Sequence, residues 1–97
     1  MEDAGYLVAI VERWNPFAKI RQDLFGFVDL LGVGPSGTLA VQTTSASNVA
    51  ARVAKIRASP HLAAVLSAGW RVEVHGWGKK GRRWELVRQV PITKENA

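Results

Sequence analysis

Phe27-Val28-Asp29-Leu30-Leu31-Gly32-Val33-Gly34-Pro35-Ser36-Gly37-Thr38-Leu39-Ala40-Val41-Gln42-Thr43-Thr44 is the stretch that decides the fold. Two runs of apolar and β-branched residues flank a Gly-Pro-Ser-Gly connection, which is the pattern of a β-hairpin. A turn centred between Pro35 and Ser36 sets Leu31 opposite Ala40 and Asp29 opposite Gln42. Directly opposed residues hold their Cβ atoms roughly 4.5–5.5 Å apart, near enough for a carboxylate and an amide oxygen to share one divalent cation. Thr44 falls on the same face, whereas Thr43 turns its side chain to the other and offers a main-chain carbonyl. An acid within an apolar strand is costly or changes its pKa unless it finds a partner. Asp29 and Gln42, with the Thr43 carbonyl, are therefore the candidate metal ligands.

Upstream, Tyr6 to Glu12 reads as a strand covered on both sides, with a short amphipathic helix as the alternative. Trp14-Asn15-Pro16 ends it, because proline supplies no ladder donor and restricts the residue before it. A loop then runs to about Leu24. Its Lys19-Ile20-Arg21-Gln22-Asp23 segment carries two bases and an acid within reach of Asp29, and Glu12 or Asp23 is the expected further acid of the site.

Downstream, Ser45, Ser47 and Asn48 are N-cap candidates for a helix from about Asn48 to Arg57, with Val49, Val53 and Ile56 at helical spacing. Arg52 and Lys55 share one of its faces, and its free amides would point toward an anion near the metal. Pro60 interrupts the helix, and Leu62 to Leu66 forms a second one ended by Gly69. Trp70 to Trp77 returns to strand with alternating burial. A turn at Gly78-Lys79-Lys80-Gly81, centred between Lys80 and Gly81, sets Trp77 opposite Trp84. The last strand continues to Val90, and Pro91 closes the sheet. The four tryptophans are read first as core area in a small domain. Base stacking beside Lys79, Lys80, Arg82 and Arg83 is the second reading. His75 is read as a hydrogen-bonded strand residue outside the site.

Ninety-seven residues bound the chain to one small domain, residues 1–97. No apolar run is long enough to span a bilayer, and the N-terminus lacks the order of a secretory signal, so a cytoplasmic protein is expected. Without cysteine there is neither a disulfide framework nor a thiolate zinc site, and any metal is hard and oxygen-bound. The net charge of +5 is uneven. Residues 1–48 carry three bases against five acids, net −2, and residues 49–97 carry ten against three, net +7. The second half reads as a surface for a polyanion.

The order Gly26-Phe27-Val28-Asp29-Leu30-Leu31, a glycine-containing turn, Leu39-Ala40-Val41-Gln42-Thr43-Thr44-Ser45, and then a helix bearing Arg52 and Lys55, resembles the core of the PD-(D/E)XK nuclease superfamily. Its small phage and archaeal Holliday-junction-resolvase-like and VRR-NUC members are the nearest in character. The resemblance implies an α/β, restriction-endonuclease-like core: a mixed central sheet of about five strands flanked by helices, here with the N-terminal helix short or missing. It also implies a homodimeric endonuclease that uses Mg2+ or Mn2+ on DNA, branched or junction DNA included. Asp29 and Gln42 match the metal-holding acid and Glu/Gln of that family. Thr44 stands where the family has a lysine, and Glu12 takes the place of a helix glutamate. The catalytic candidates are thus Asp29, Gln42, Thr44 and Glu12, and the nucleic-acid-binding candidates are Lys19, Arg21, Arg52 and Lys55. Two other readings remain: a catalytically inactive nuclease-fold module that binds nucleic acid, and an assembly protein in which Asp29 pairs with Arg21 or Lys19.

Overall fold

The computed structural model describes residues 5–17 and 20–94. In chain order these form β1 (Leu7–Ile10), β2 (Arg13–Asn15), β3 (Ile20–Gln22), β4 (Leu30–Gly34), β5 (Gly37–Ser45), α1 (Val49–Arg57), α2 (Leu62–Ser67), β6 (Arg71–Lys80) and β7 (Arg83–Ile92), with a 3-10 turn over Ala46–Asn48. The main sheet has the order β1-β4-β5-β6-β7. β1, β4 and β5 make an antiparallel meander, α1 and α2 carry the chain over, and β6 returns parallel to β5 before β7 closes antiparallel. The result is an α/β domain with a five-stranded mixed sheet.

The β4–β5 hairpin has the register its sequence predicts: Leu31 pairs Ala40, and Gly34 pairs Gly37 around Pro35-Ser36. Gly34 is required by a close approach, since a Cβ there would lie 2.8 Å from the Tyr6 ring. β4 begins at Leu30, three residues later than the apolar run from Phe27 suggests. Asp29 stands just before it, yet keeps strand-like bonds on both sides, its N–H donating to Val41 O and its carbonyl accepting from Val11 N, each at 3.0 Å.

Alternation along the strands sorts the core onto one face. Ala40, Val72, Val74 and Ile92 pack against Val49, Val53 and Ile56 of α1 and Leu62 and Val65 of α2. Both helices were expected, within a residue of where they lie. The expected side-chain caps are not made at the start of α1, which the 3-10 turn leads into instead. On the other face Leu39 and Val41 are buried but stand apart from that cluster. A groove of about 440 Å³ runs there past Val8, Leu30, Thr43, His75 and Gln89.

Three expectations are corrected. The first strand is not covered on both sides: β1 lies at the sheet edge, with Leu7 77% and Ile10 74% exposed. The segment after it is no simple loop, because Arg13–Asn15 and Ile20–Gln22 pair as a separate antiparallel ribbon. The second hairpin turns at Gly81-Arg82, one residue beyond the expected centre between Lys80 and Gly81, because Gly81 takes the positive φ of 62° that a two-residue loop needs at its first position. Trp77 therefore pairs Leu86, and Trp84 pairs Lys79. Further along, Gly76 pairs Arg88, so Val87 is an extra residue in β7, a β-bulge.

Candidate metal centre

The site grows from a turn whose one usual turn residue is Gly26. Leu24 N donates to Val28 O at 2.9 Å, and Val28 N donates back to Leu24 O at 3.0 Å. Three residues lie between them, and the first two, Phe25 (φ 56°) and Gly26 (φ 84°), both take left-handed backbone. For Phe25, a β-carbon in that region costs about 1–2 kcal/mol. Continuing the Leu24–Val28 pairing outward by one step brings Asp23 opposite Asp29. Like charges directly opposed destabilise a ribbon, so something cationic or hydrogen-bonding has to lie between them.

Gln42, from β5, does. Its Nε2 donates to Asp23 Oδ2 at 3.2 Å and to Asp29 Oδ2 at 3.4 Å. Thr43 holds the Asp29 carboxylate from the other side: its N–H reaches Oδ1 and Oδ2 at 3.2 and 3.1 Å, and its Oγ1 donates to Oδ2 at 3.0 Å. In effect the carboxylate takes the next rung of the sheet, where the β4 chain has already turned away. Asp29 is 7% exposed and Gln42 4%. Burial raises the Asp29 pKa above 3.8, and the nearby Asp23 charge adds to the rise; the Thr43 and Gln42 hydrogen bonds oppose it.

One atom is left over. Gln42 Oε1 is buried and has no hydrogen-bond partner among the described residues. An orphaned buried acceptor costs roughly 1–3 kcal/mol. The amide is nearly symmetric in shape, so a half-turn would put Oε1 between the two carboxylates and Nε2 outside. Three oxygens in that arrangement repel one another unless a cation joins them. Two carboxylates and an amide carbonyl are the hard donor set that Mg2+ or Mn2+ takes, so the residues present fit such an ion. Among the described residues no three His, Cys, Asp or Glu side chains come together as a metal group. Gln42 would be the third donor of such a set.

The cluster opens through Asp23 into a cleft of about 650 Å³, whose other polar walls are Arg13, Gln22 and Lys55. Lys55, a sequence candidate, therefore reaches the cleft from α1. Arg52 is half-buried one turn earlier on the same helix. Glu12, also half-buried, follows the Val11 that bonds the Asp29 carbonyl. Thr44 lines a separate shallow depression with Thr43, Ser45, Trp77 and Trp84. The backbone of Arg21 lies in β3 opposite Trp14, and Lys19 falls outside the described residues. Thr43 acts through its N–H and hydroxyl, although its side chain was expected to point away from Asp29. Arg13, missed in the sequence, is identifiable only once β2 folds over the cleft. His75 Nε2 donates to Glu73 Oε1 at 2.9 Å, as a strand histidine should.

No family model, no curated protein and no solved structure matches this chain.

Proposed function

We propose that this chain is a divalent-metal-dependent endonuclease that hydrolyses DNA phosphodiester bonds with Mg2+ or Mn2+, built on a restriction-endonuclease-like core. The observation that carries the reading is the orphaned Gln42 Oε1 beside the Asp23–Asp29 pair. The order of elements adds support. An antiparallel meander, a helical crossover and a parallel fourth strand put the acid at the start of the second strand and the glutamine on the third, as the sequence resemblance implies.

Asp23, Asp29 and Gln42 would hold the ion, with the Gln42 amide turned so that Oε1 joins the carboxylates. When bound, the ion makes a water more acidic and offsets charge on the phosphoryl oxygens. Thr43 keeps Asp29 in one orientation through its two donors. Lys55 and Arg13, on the cleft wall, neutralise the phosphate that enters, and Lys55 takes the cationic part that Thr44 cannot. Cutting both strands of a duplex needs two such sites, which a homodimer supplies.

The test is incubation of the purified protein with plasmid, single-stranded and branched DNA, with Mg2+, Mn2+ or chelator. Metal-dependent nicking that disappears in Asp29→Ala and falls at least about 100-fold in Lys55→Met is expected, the size usual for a lost charge-stabilising group. Cutting that survives Asp29→Ala refutes the site. DNA binding without cutting under any metal favours the inactive module.

A further inference from the structure

The tryptophans do not do what a small core would ask of them. Trp70 packs beside the core and lies 6.1 Å from the Phe25 ring. Trp84 is 63% exposed and Trp77 36% exposed, both on the β6–β7 hairpin. Burying such a ring removes a large apolar area from water, so two left outside on one hairpin form a surface with a use rather than a packing element.

Register puts them together. Trp77 pairs Leu86 and Lys79 pairs Trp84, so all four side chains stand on one face of the hairpin, with the two indoles on a diagonal. The bulge at Val87 arranges this: it shifts the alternation of β7 by one, re-aiming Trp84 and Leu86 onto the face of Trp77. The indoles line a depression of about 320 Å³ with Thr43, Thr44 and Ser45. Thr43 is the residue that holds Asp29, so the depression begins where the candidate metal centre ends. Lys79 shares the indoles' face, Arg82 lies in the turn at its end, and Lys80 and Arg83 pair on the opposite face; all four are exposed. Of these only Lys80 has an ion pair among the described residues, a loose one to Glu85 at 3.8 Å.

We infer that the β6–β7 hairpin is a binding arm for single-stranded DNA, with Trp77 and Trp84 stacking on unpaired bases and Lys79 and Arg82 on the phosphates. Aromatic faces beside a cationic rim are the chemistry that single strands recognise, because every base has a stacking face and every linkage a charge. A duplex hides its base faces and gives the indoles nothing to stack on. The inference rests on the nuclease reading for the choice of DNA. It deepens that reading by making the substrate one with an unpaired segment next to the cut, such as a flap or a branch.

The experiment measures binding of a fluorescent oligothymidylate, a duplex of equal length and an oligouridylate in chelator, where no cleavage occurs. The expected result is tighter binding of the oligothymidylate than of the duplex, with quenched tryptophan fluorescence. Trp84→Ala should weaken it by at least about fivefold, the lower end for one lost stack, and Trp84→Phe should recover part of the loss. Lys79→Ala with Arg82→Ala should flatten the plot of log affinity against log salt by about 1.4, two phosphate contacts' worth for a single strand. Duplex bound as tightly as oligothymidylate, an unchanged affinity in Trp84→Ala with Trp77→Ala, or a preference for oligouridylate overturns the inference. The two readings fail separately. Trp84-dependent binding without cleavage under any metal keeps the arm and removes the nuclease, whereas Asp29-dependent cutting indifferent to both tryptophans does the reverse.

Discussion

Replacing Gln42 by glutamate exchanges the group between two acids for a third acid of the same length. In the native protein Nε2 donates to Asp23 Oδ2 and Asp29 Oδ2 at 3.2 and 3.4 Å. With an ionised carboxylate at those separations, each pair repels by about 5 kcal/mol at an effective dielectric constant near 20. The side chain escapes that cost by taking up a proton. Protonating a glutamate of ordinary pKa near 4.3 costs about 3.7 kcal/mol near pH 7 and about 1 kcal/mol near pH 5, which caps the penalty at each pH. In chelator, Gln42→Glu should therefore be destabilised by up to about 3.7 kcal/mol near neutrality and recover most of it on mild acidification. Manganese should restore it too, and by more than it stabilises the native protein, because the ion then meets three carboxylates rather than two. Urea unfolding followed by tryptophan fluorescence, at both pH values, with chelator and with Mn2+, measures all four numbers. A variant equally stable at both pH values in chelator, or one that gains no more from manganese than the native protein, refutes the geometry proposed for Asp23, Gln42 and Asp29.

Two further outcomes follow from packing and from charge. A Cβ added at Gly76 would lie 2.4 Å from Val49 Cγ2 and 3.2 Å from Ala46 Cα, so Gly76→Ala should cost about 1–3 kcal/mol by overpacking; in denaturant melts the Gly76→Ala, Val49→Ala pair should be less unstable than the two single effects added together, by about 1 kcal/mol or more. Burial raises the Asp29 pKa in the folded protein above 3.8. As the pH falls through that raised value the native state takes up the proton before the unfolded chain does, so in chelator the native protein should gain stability relative to Asp29→Asn on going from neutral pH toward 4. A gap that moves the opposite way contradicts the burial of this carboxylate.

The hairpin at Pro35-Ser36 was legible because its flanks are runs of apolar and β-branched residues and its turn residues are those a tight connection needs, so the pairing near Asp29 came out in register. Both helices were legible too, from Val49, Val53 and Ile56 and from the Leu62–Leu66 run. The turn at Phe25-Gly26 was not, since phenylalanine rarely takes left-handed backbone and Phe27 read as the start of a strand. With that turn unseen, Asp23 appeared only as one of several acids rather than as the residue facing Asp29. The second hairpin was misplaced by one residue because Gly78 and Gly81 both offer turns, and nothing local announces a bulge at Val87. Exposure of Ile10, Trp77 and Trp84 depends on which neighbours arrive, and that is a property of the assembled sheet rather than of any segment.

The bulge also changes what substitution means along β7. From Arg88 to Ile92 the even-numbered residues look toward the helices, with Ile92 buried and Val90 against the core. From Arg83 to Leu86 the same parity looks toward the open face. A single inserted residue thus divides one continuous strand into a stretch whose even positions answer to the interior and a stretch whose even positions are free to follow a ligand. Selection can rewrite the second without disturbing the first.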